Sequence, residues 1–197
     1  QFLFKESYSP RQINNIYLDT INFDFFNQNV AGIGYRTKVR IRWYGKLCQT
    51  VSPILEIKKK SGLVGKKISR NIGKLNTENI FNHNLLIDYI EKTDFEDDLK
   101  FEINKLYPTL VNTYKRNYYE SLDKRIRATI DSDLIYYKPI FNYETKRFQH
   151  KFVESSYILE LKYSNRNEDL NHIIFDKVPF RLIRNSKYVN GLNAIKY

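Results

Sequence analysis

Side chains along a β-strand alternate between two faces, so a strand with apolar and charged residues in strict alternation has one greasy side and one ionic side. This chain repeats that pattern. In Lys38-Val39-Arg40-Ile41-Arg42-Trp43 one face carries Lys38, Arg40 and Arg42, and the other carries Val39, Ile41 and Trp43. Leu55-Glu56-Ile57-Lys58 and Leu159-Glu160-Leu161-Lys162 follow the same rule, as does Arg125-Ile126-Arg127-Ala128-Thr129-Ile130-Asp131, with Tyr114-Lys115-Arg116 as a shorter version. Placed in one sheet, these strands add their ionic faces into a concentrated cationic surface. Such a surface calls for a polyanion.

The charge balance agrees. Lys and Arg total 33 against 22 Asp and Glu, a net charge of +11, which points to nucleic acid, polyphosphate, a nucleotide or an acidic membrane surface. With 42% hydrophobic residues over 197 positions, the chain can bury a core as one globular domain spanning 1–197. No apolar run reaches the roughly 20 residues of a membrane span, and no secretory signal is visible. The single Cys48 excludes an internal disulfide framework and fits a reducing, cytoplasmic location. One cysteine and the scattered His83, His150 and His172 make no zinc site, so a metal here would be a hard ion on carboxylates and phosphate oxygens. There is no Met, and Gln1 already lies in a patterned segment, so the chain is expected to start downstream of its natural N-terminus.

Residues 1–16 read as a helix end and a break at Ser9-Pro10, and Asn15 to Thr20 as a strand. A turn region at 22–34 precedes a strand over 35–44 ended by Gly45. Ile54–Lys60 and Lys66–Ile72 form a hairpin around Ser61-Gly62 and Gly65. Phe81, Leu85 and Tyr89, beside Leu86 and Ile90, recur at helical spacing, with Thr77 as the expected N-cap. A second, acidic helix spans Asp94–Leu106 and stops before Pro108. Strands return at 109–120, 124–136 and 151–163, followed by a short helix at 167–175 and a last strand at 180–189. The result is an α+β fold, mainly antiparallel β. Periodicity leaves open whether the charged face meets water or lines the lumen of a closed barrel.

Arg40 and Arg42 carry the most chemistry. Each guanidinium is a planar fork that grips phosphate oxygens two at a time and stays charged beside other cations. Two like charges ~6 Å apart at an effective dielectric near 20 cost on the order of 3 kcal/mol, unless water, an acid or an anion stands between them. Glu56-x-Lys58 and Glu160-x-Lys162 mix carboxylate and ammonium on one face, which suits a metal-bearing phosphate chain; read blandly, each is a surface ion pair. Lys66, Lys67 and Arg70 follow a turn, where a solvated hairpin is the ordinary reading. Trp43 and most of the 16 tyrosines read as core and rim packing, and His83 as structural. There is no phosphate loop of the GxxxxGK[ST] type and no nucleophile–histidine arrangement.

Taken in order, NNIYLDT, GYRTKVRIRWYG, LEIKKK, YKRNYY, RIRATID, ILELKY and NSKYVNGL resemble the VTC domain, the polyphosphate polymerase branch of the CYTH-like triphosphate tunnel metalloenzymes. The likeness runs from about residue 12 to 192. It implies an eight-stranded antiparallel barrel forming a tunnel, with helices packed outside. It also implies Arg40 and Arg42 as paired phosphate-binding arginines, Lys58 as a tunnel lysine, and Lys67 or Lys66 as the next. Tyr114 and Arg116 match the family's Tyr-x-Arg pair, and Arg127 the arginine ahead of Thr129 and Asp131. Glu160 would hold Mn²⁺ or Mg²⁺, and Ser186 and Lys187 would meet phosphate near one mouth. Lys38 and Lys162 join the substrate-binding set from their strand faces. The strand with an acidic and basic motif that usually opens the family has no counterpart here, and its absence would remove one tunnel wall and at least one lysine.

The resemblance implies transfer of the γ-phosphate of ATP, or of another nucleoside triphosphate, to growing inorganic polyphosphate. Three alternatives stand beside it. A tripolyphosphatase or nucleoside triphosphatase would use water as acceptor, with pyrophosphate or phosphate as product. A polyanion-binding module would turn nothing over. A nucleic-acid binder on a basic β-surface, the least favoured, would bind single strands with steep salt dependence.

Overall fold

The structure, a computed structural model, describes residues 3–62, 64–163 and 180–195. Its strands are β1 (Phe4–Asp19), β2 (Tyr35–Tyr44), β3 (Thr50–Val51), β4 (Ile54–Ser61), β5 (Val64–Asn71), β6 (Leu75–Asn76), β7 (Tyr107–Ser121), β8 (Ile126–Tyr137), β9 (Phe141–Asn142), β10 (Arg147–Phe148), β11 (Lys151–Glu154) and β12 (Ile158–Tyr163). The helices are α1 (Asp24–Val30), α2 (His83–Glu91), α3 (Asp97–Asn104) and α4 (Lys187–Ile195), with a 3-10 turn at Asn79–Phe81. No helix among the described residues is long and apolar enough to cross a membrane.

Eight strands make one antiparallel sheet, ordered β11-β8-β7-β1-β2-β4-β5, with β12 also on β8. The fold is α+β and mainly antiparallel, as the alternation required. One face buries Ile16 and Leu18 of β1, Val39, Ile41 and Trp43 of β2, and Leu55 and Ile57 of β4 against Leu86, Ile90, Leu99 and Ile103 of α2 and α3. At about 25 cal/mol per Å² of apolar surface removed from water, this layer is the main driving force for the fold. The other face carries the charges. At one end α4 lies on this face, burying Tyr188, Leu192 and Ile195 on Tyr17, Leu110, Tyr114 and Tyr136.

Several local expectations are corrected. Residues 4–16 are strand rather than helix end. Pro10 is accommodated where the β1–β7 register shifts between Tyr8 and Arg11, because an irregular pairing does not need the N–H that proline lacks. The 22–34 segment contains α1. Its amides on Phe25 and Phe26 donate at 2.9 Å to Asp19, the last residue of β1, while the Asp24 amide donates to the Thr20 hydroxyl. Asn82, not Thr77, caps α2, accepting from the Leu85 amide at 3.2 Å. Thr77 is buried and bonds instead to Leu47 and Gln49. The 151–163 segment divides into β11 and β12. The expected helix at 167–175 lies outside the described residues.

The end of the chain differs most. The strand expected over 180–189 is absent, and the helix α4 begins at Lys187. Tyr188, Gly191, Leu192 and Ile195 are buried at helical spacing, so only a helix turns them all to the sheet. Ser186 caps the helix: its carbonyl takes the Asn190 amide at 2.9 Å, and its hydroxyl accepts from Val189 at 3.4 Å.

Candidate functional site

Cross-strand register puts the charged residues of successive strands side by side. Arg40 lies opposite Glu56, and Lys38 opposite Lys58. Lys58 in turn faces Lys67 across β4–β5. On the other side Arg116 faces Asp131, Arg127 faces Lys162, and Thr129 faces Glu160. The start of α4 adds Ser186 and Lys187. Arg40, Arg42, Lys38, Lys58, Lys67, Tyr114, Arg116, Arg127, Glu160, Lys162, Ser186 and Lys187 thus share one face. Lys66 does not. It pairs with Lys59, whose ammonium reaches Glu102 of α3 at 3.1 Å, so Lys66 belongs to the helix-covered side.

Two buried carboxylates organise the cations. Glu56, only 4% exposed, accepts from Arg40 at 2.7 Å, lies 3.2 Å from Arg42, and pairs with Lys67. Burial pushes its carboxyl toward neutrality, yet Arg40 and Lys67 outweigh this and hold its pKa below the ordinary value. Glu56 is therefore the acid that relieves the repulsion between the paired arginines. Asp131, 1% exposed, takes Arg116 through both oxygens at 2.5 and 2.7 Å and Lys187 at 2.5 Å. Burial disfavours charge on Arg116, but its hydrogen bonds to Asp131 prevail and raise its pKa. Tyr114 is buried beside this pair, with the Lys187 ammonium 4.8 Å and the Arg116 guanidinium 5.4 Å from its ring centre. Burial pushes its hydroxyl pKa up.

Other cations on the face have no such partner. Among the described residues no carboxylate makes an ion pair with Lys38, Lys58 or Arg127, although Glu120 of β7 stands across from Arg127 in the register. The Lys38 ammonium donates to the Ser186 hydroxyl at 2.9 Å, and burial, assisted by Arg40, lowers its pKa. Burial, then Arg40, does the same for Lys58. Lysines held in this way bind their protons less tightly than in water, and a neighbouring anion counters that effect.

The acidic side chains differ in availability. Glu56 and Asp131 are enclosed by close cations. Glu160 is 46% exposed, with Lys162 at 3.3 Å and Arg116 at 3.9 Å as its looser neighbours. No group of three His, Cys, Asp or Glu converges as a metal cage among the described residues. A hard cation here would take one carboxylate and complete its shell with phosphate oxygens and water, an arrangement suited to Mg²⁺ or Mn²⁺. The face fits such an ion at Glu160 and not at the carboxylates locked by arginine.

Sequence reasoning did not single out Asp131 as a site residue, and weighed Glu56 as a carboxylate for a metal-bearing phosphate chain or as a surface ion pair, not as the buried acid that holds the arginines. It also missed an amide relay: Arg42 Nε donates to Asn15 at 3.3 Å, and Asn15 donates to Asn112 at 2.9 Å. The Asn112 amide nitrogen and the Thr129 hydroxyl are buried with no hydrogen-bond partner among the described residues. Strand alternation could have put Asn15 and Asn112 on the charged face, but only register makes them neighbours.

The family model for the VTC domain matches residues 3–196. No curated protein matches the chain. Among solved structures, a Hippeastrum protein described as an adenylyl cyclase with a dominant triphosphatase activity is similar at 16% identity. That likeness covers 98% of this chain and 86% of the other, with a TM-score of 0.55, and shows a shared fold. A protein of Pyrococcus horikoshii OT3 is similar at 15% identity over 98% of this chain and 88% of its own, with a TM-score of 0.45.

Proposed function

This chain belongs to the VTC-domain family, and from that membership we propose that it is a polyphosphate polymerase, working as one tunnel domain on ATP and inorganic polyphosphate. The observation that carries the reading is the set of cations with no ion-pair partner among the described residues, Lys38, Lys58 and Arg127, beside guanidiniums aligned by Glu56 and Asp131. A cationic face that already neutralised itself would have little use for an anion. This one retains charge where a phosphate chain would lie.

Arg40, Arg42 and Arg116 would bind phosphoryl oxygens. Each guanidinium has five N–H donors and uses only some on its carboxylate, so the buried acids orient the forks without consuming them. Lys38, Lys58 and Lys67 would add charge from β2, β4 and β5. Arg127 and Lys162 would do so from the opposite wall, with Ser186, Lys187 and Tyr114 near the α4 end. Glu160 is the residue to hold Mn²⁺ or Mg²⁺, which would supply further neutralisation of charge on the transferring phosphate. A terminal oxygen of the polyphosphate attacks the γ-phosphorus, the bond to the β–γ bridging oxygen breaks, and ADP leaves. Positioning and fixed positive charge lower the barrier, and no covalent nucleophile is needed. Cytoplasmic location, which the single Cys48 fits, completes the reading.

A second reading keeps the site and replaces the phosphate acceptor by water, giving a tripolyphosphatase or nucleoside triphosphatase. The triphosphatase activity described for the Hippeastrum protein favours keeping it. Incubation with ATP and Mn²⁺ or Mg²⁺ separates the two. Long chains on a polyphosphate-stained gel with matching ADP are expected. Free phosphate without chains would transfer the assignment to the hydrolase, and neither product would end the enzymatic reading. In Glu160→Gln, metal-dependent turnover should disappear while tripolyphosphate binding persists; undiminished turnover would remove Glu160 from the metal site.

A further inference from the structure

Beyond Arg42 and Arg116, away from α4, the same face ends in an aromatic cluster. Arg11 on β1 lies directly across from Arg116 on β7. Its guanidinium carbon is 5.5 Å from the ring centre of Tyr8, 5.6 Å from Tyr44 and 5.7 Å from Tyr118. Tyr8 and Tyr118 are cross-strand partners and meet edge to face at 5.9 Å. Tyr44 ends β2, two positions past Arg42 and on the same side.

These rings are not there for the core. None of them belongs to either buried cluster, and Tyr8 and Tyr44 are 61% and 43% exposed. A phosphate chain can take a hydrogen bond from a tyrosine hydroxyl but has no π-face to stack on the ring, whereas a nucleobase does. The spacing is right as well. At about 3.3 Å of rise per residue, Tyr44 lies roughly 13 Å along β2 from Arg40, within reach of a nucleotide whose phosphates sit on the arginines.

We propose that Tyr8, Arg11, Tyr44 and Tyr118 form the seat for the base of the donor nucleoside triphosphate. The base stacks on the exposed tyrosine rings, and Arg11 meets the base edge or the first phosphate. This rests on reading the charged face as a triphosphate site. It adds a means by which the protein distinguishes a nucleotide donor from the inorganic chains that share its cations.

The test is equilibrium binding of ATP, methyl triphosphate and inorganic tripolyphosphate, with EDTA present. Methyl triphosphate keeps the charge of an esterified triphosphate and has no base. It should bind the unmodified protein about tenfold more weakly than ATP, since stacking contributes on that scale. Equal affinities would overturn the seat, whether or not any variant folds. In Tyr8→Ala/Tyr44→Ala, ATP affinity should fall about tenfold while tripolyphosphate changes less than twofold; Tyr8→Phe/Tyr44→Phe should keep ATP. A parallel loss for both ligands, or for neither, would also overturn it. Tripolyphosphate that fails to bind the unmodified protein would instead remove the charged face as a phosphate site, and the seat with it.

Discussion

Glu56 is the residue on which the arginine pair depends. Replacing it by Gln leaves Arg40, Arg42 and Lys67 crowded without their shared acid. Losing one partner of a buried ion network costs about 3–5 kcal/mol; the half-exposed Lys67 places this site near the lower figure. Denaturant unfolding of Glu56→Gln should show that loss, and tripolyphosphate should restore part of it. Unchanged stability would mean that water already separates the arginines. The pH dependence follows from the depressed pKa: the contribution of Glu56 is present above the ordinary carboxyl value of 4.5 and is lost as pH falls through its folded value. The lysines give the opposite signature. Lys38 and Lys58 lose their protons below the ordinary 10.5, and a bound polyanion returns those pKa values upward. Tripolyphosphate binding should therefore take up protons between the free and bound lysine pKa values, and affinity should fall as pH rises through the free ones. Calorimetry in buffers of different ionisation enthalpy measures the uptake; none would show that these lysines stay away from the anion.

At the scale of elements, α4 matters out of proportion to its length. Its first residues bring Lys187 to Asp131 and Ser186 to Lys38, so one helix end touches both walls of the face. Its seat is set by Tyr188, whose ring stacks on Tyr17 at 5.0 Å and whose hydroxyl donates to the buried Asp19. Gly191 allows the close approach. A Cβ there would come within 2.5 Å of the Tyr136 ring and 2.6 Å of Leu110. Gly191→Ala should destabilise the protein by about 1–3 kcal/mol through overpacking and lift α4 from the sheet. Tripolyphosphate affinity should drop with it, because Lys187 and Ser186 move together. Thermal melting and binding on one sample check both, and a variant that melts early yet binds normally would dissociate α4 from the anion site. The helix was missed although Tyr188, Leu192 and Ile195 recur at helical spacing, because the segment was read as a strand up to residue 189 and the period shows only when it is followed to Ile195. Its partners, Asp19 and Tyr17, lie far back in the chain.

At the scale of the whole molecule, the chain carries a net charge of +11, one sheet face aligns a row of cations from β2, β4, β5, β7, β8 and β12, and α2 and α3 cover the other. Folding brings like charges together, so a ligand that neutralises them should stabilise the folded state. At a hundred times its Kd, tripolyphosphate should add about 2.7 kcal/mol, a rise in Tm of roughly 5–11 °C for a chain of this size. Chloride at matched ionic strength should not reproduce it; an equal rise would mean general screening rather than a site. Strands β2, β4, β5, β7 and β8, and which of their residues share the charged face, were legible in the sequence. Alternation with period two is a local property, and each strand carries its own record of it. Lys66 against Lys67 shows where that ended: only the register of β5 on β4 decides which ammonium joins the face. The same holds for Glu56 reaching Arg42 and Lys67 from other strands, for Asp131 joining Arg116 to Lys187, and for Pro10 lying inside a strand. These depend on which residues stand opposite one another across the sheet, and register is settled by the packing of the whole greasy face. Local alternation was enough to dictate a row of cations along each strand. The tertiary structure alone decided which carboxylates hold them, because an ion pair between strands exists only once the chain has brought the strands together.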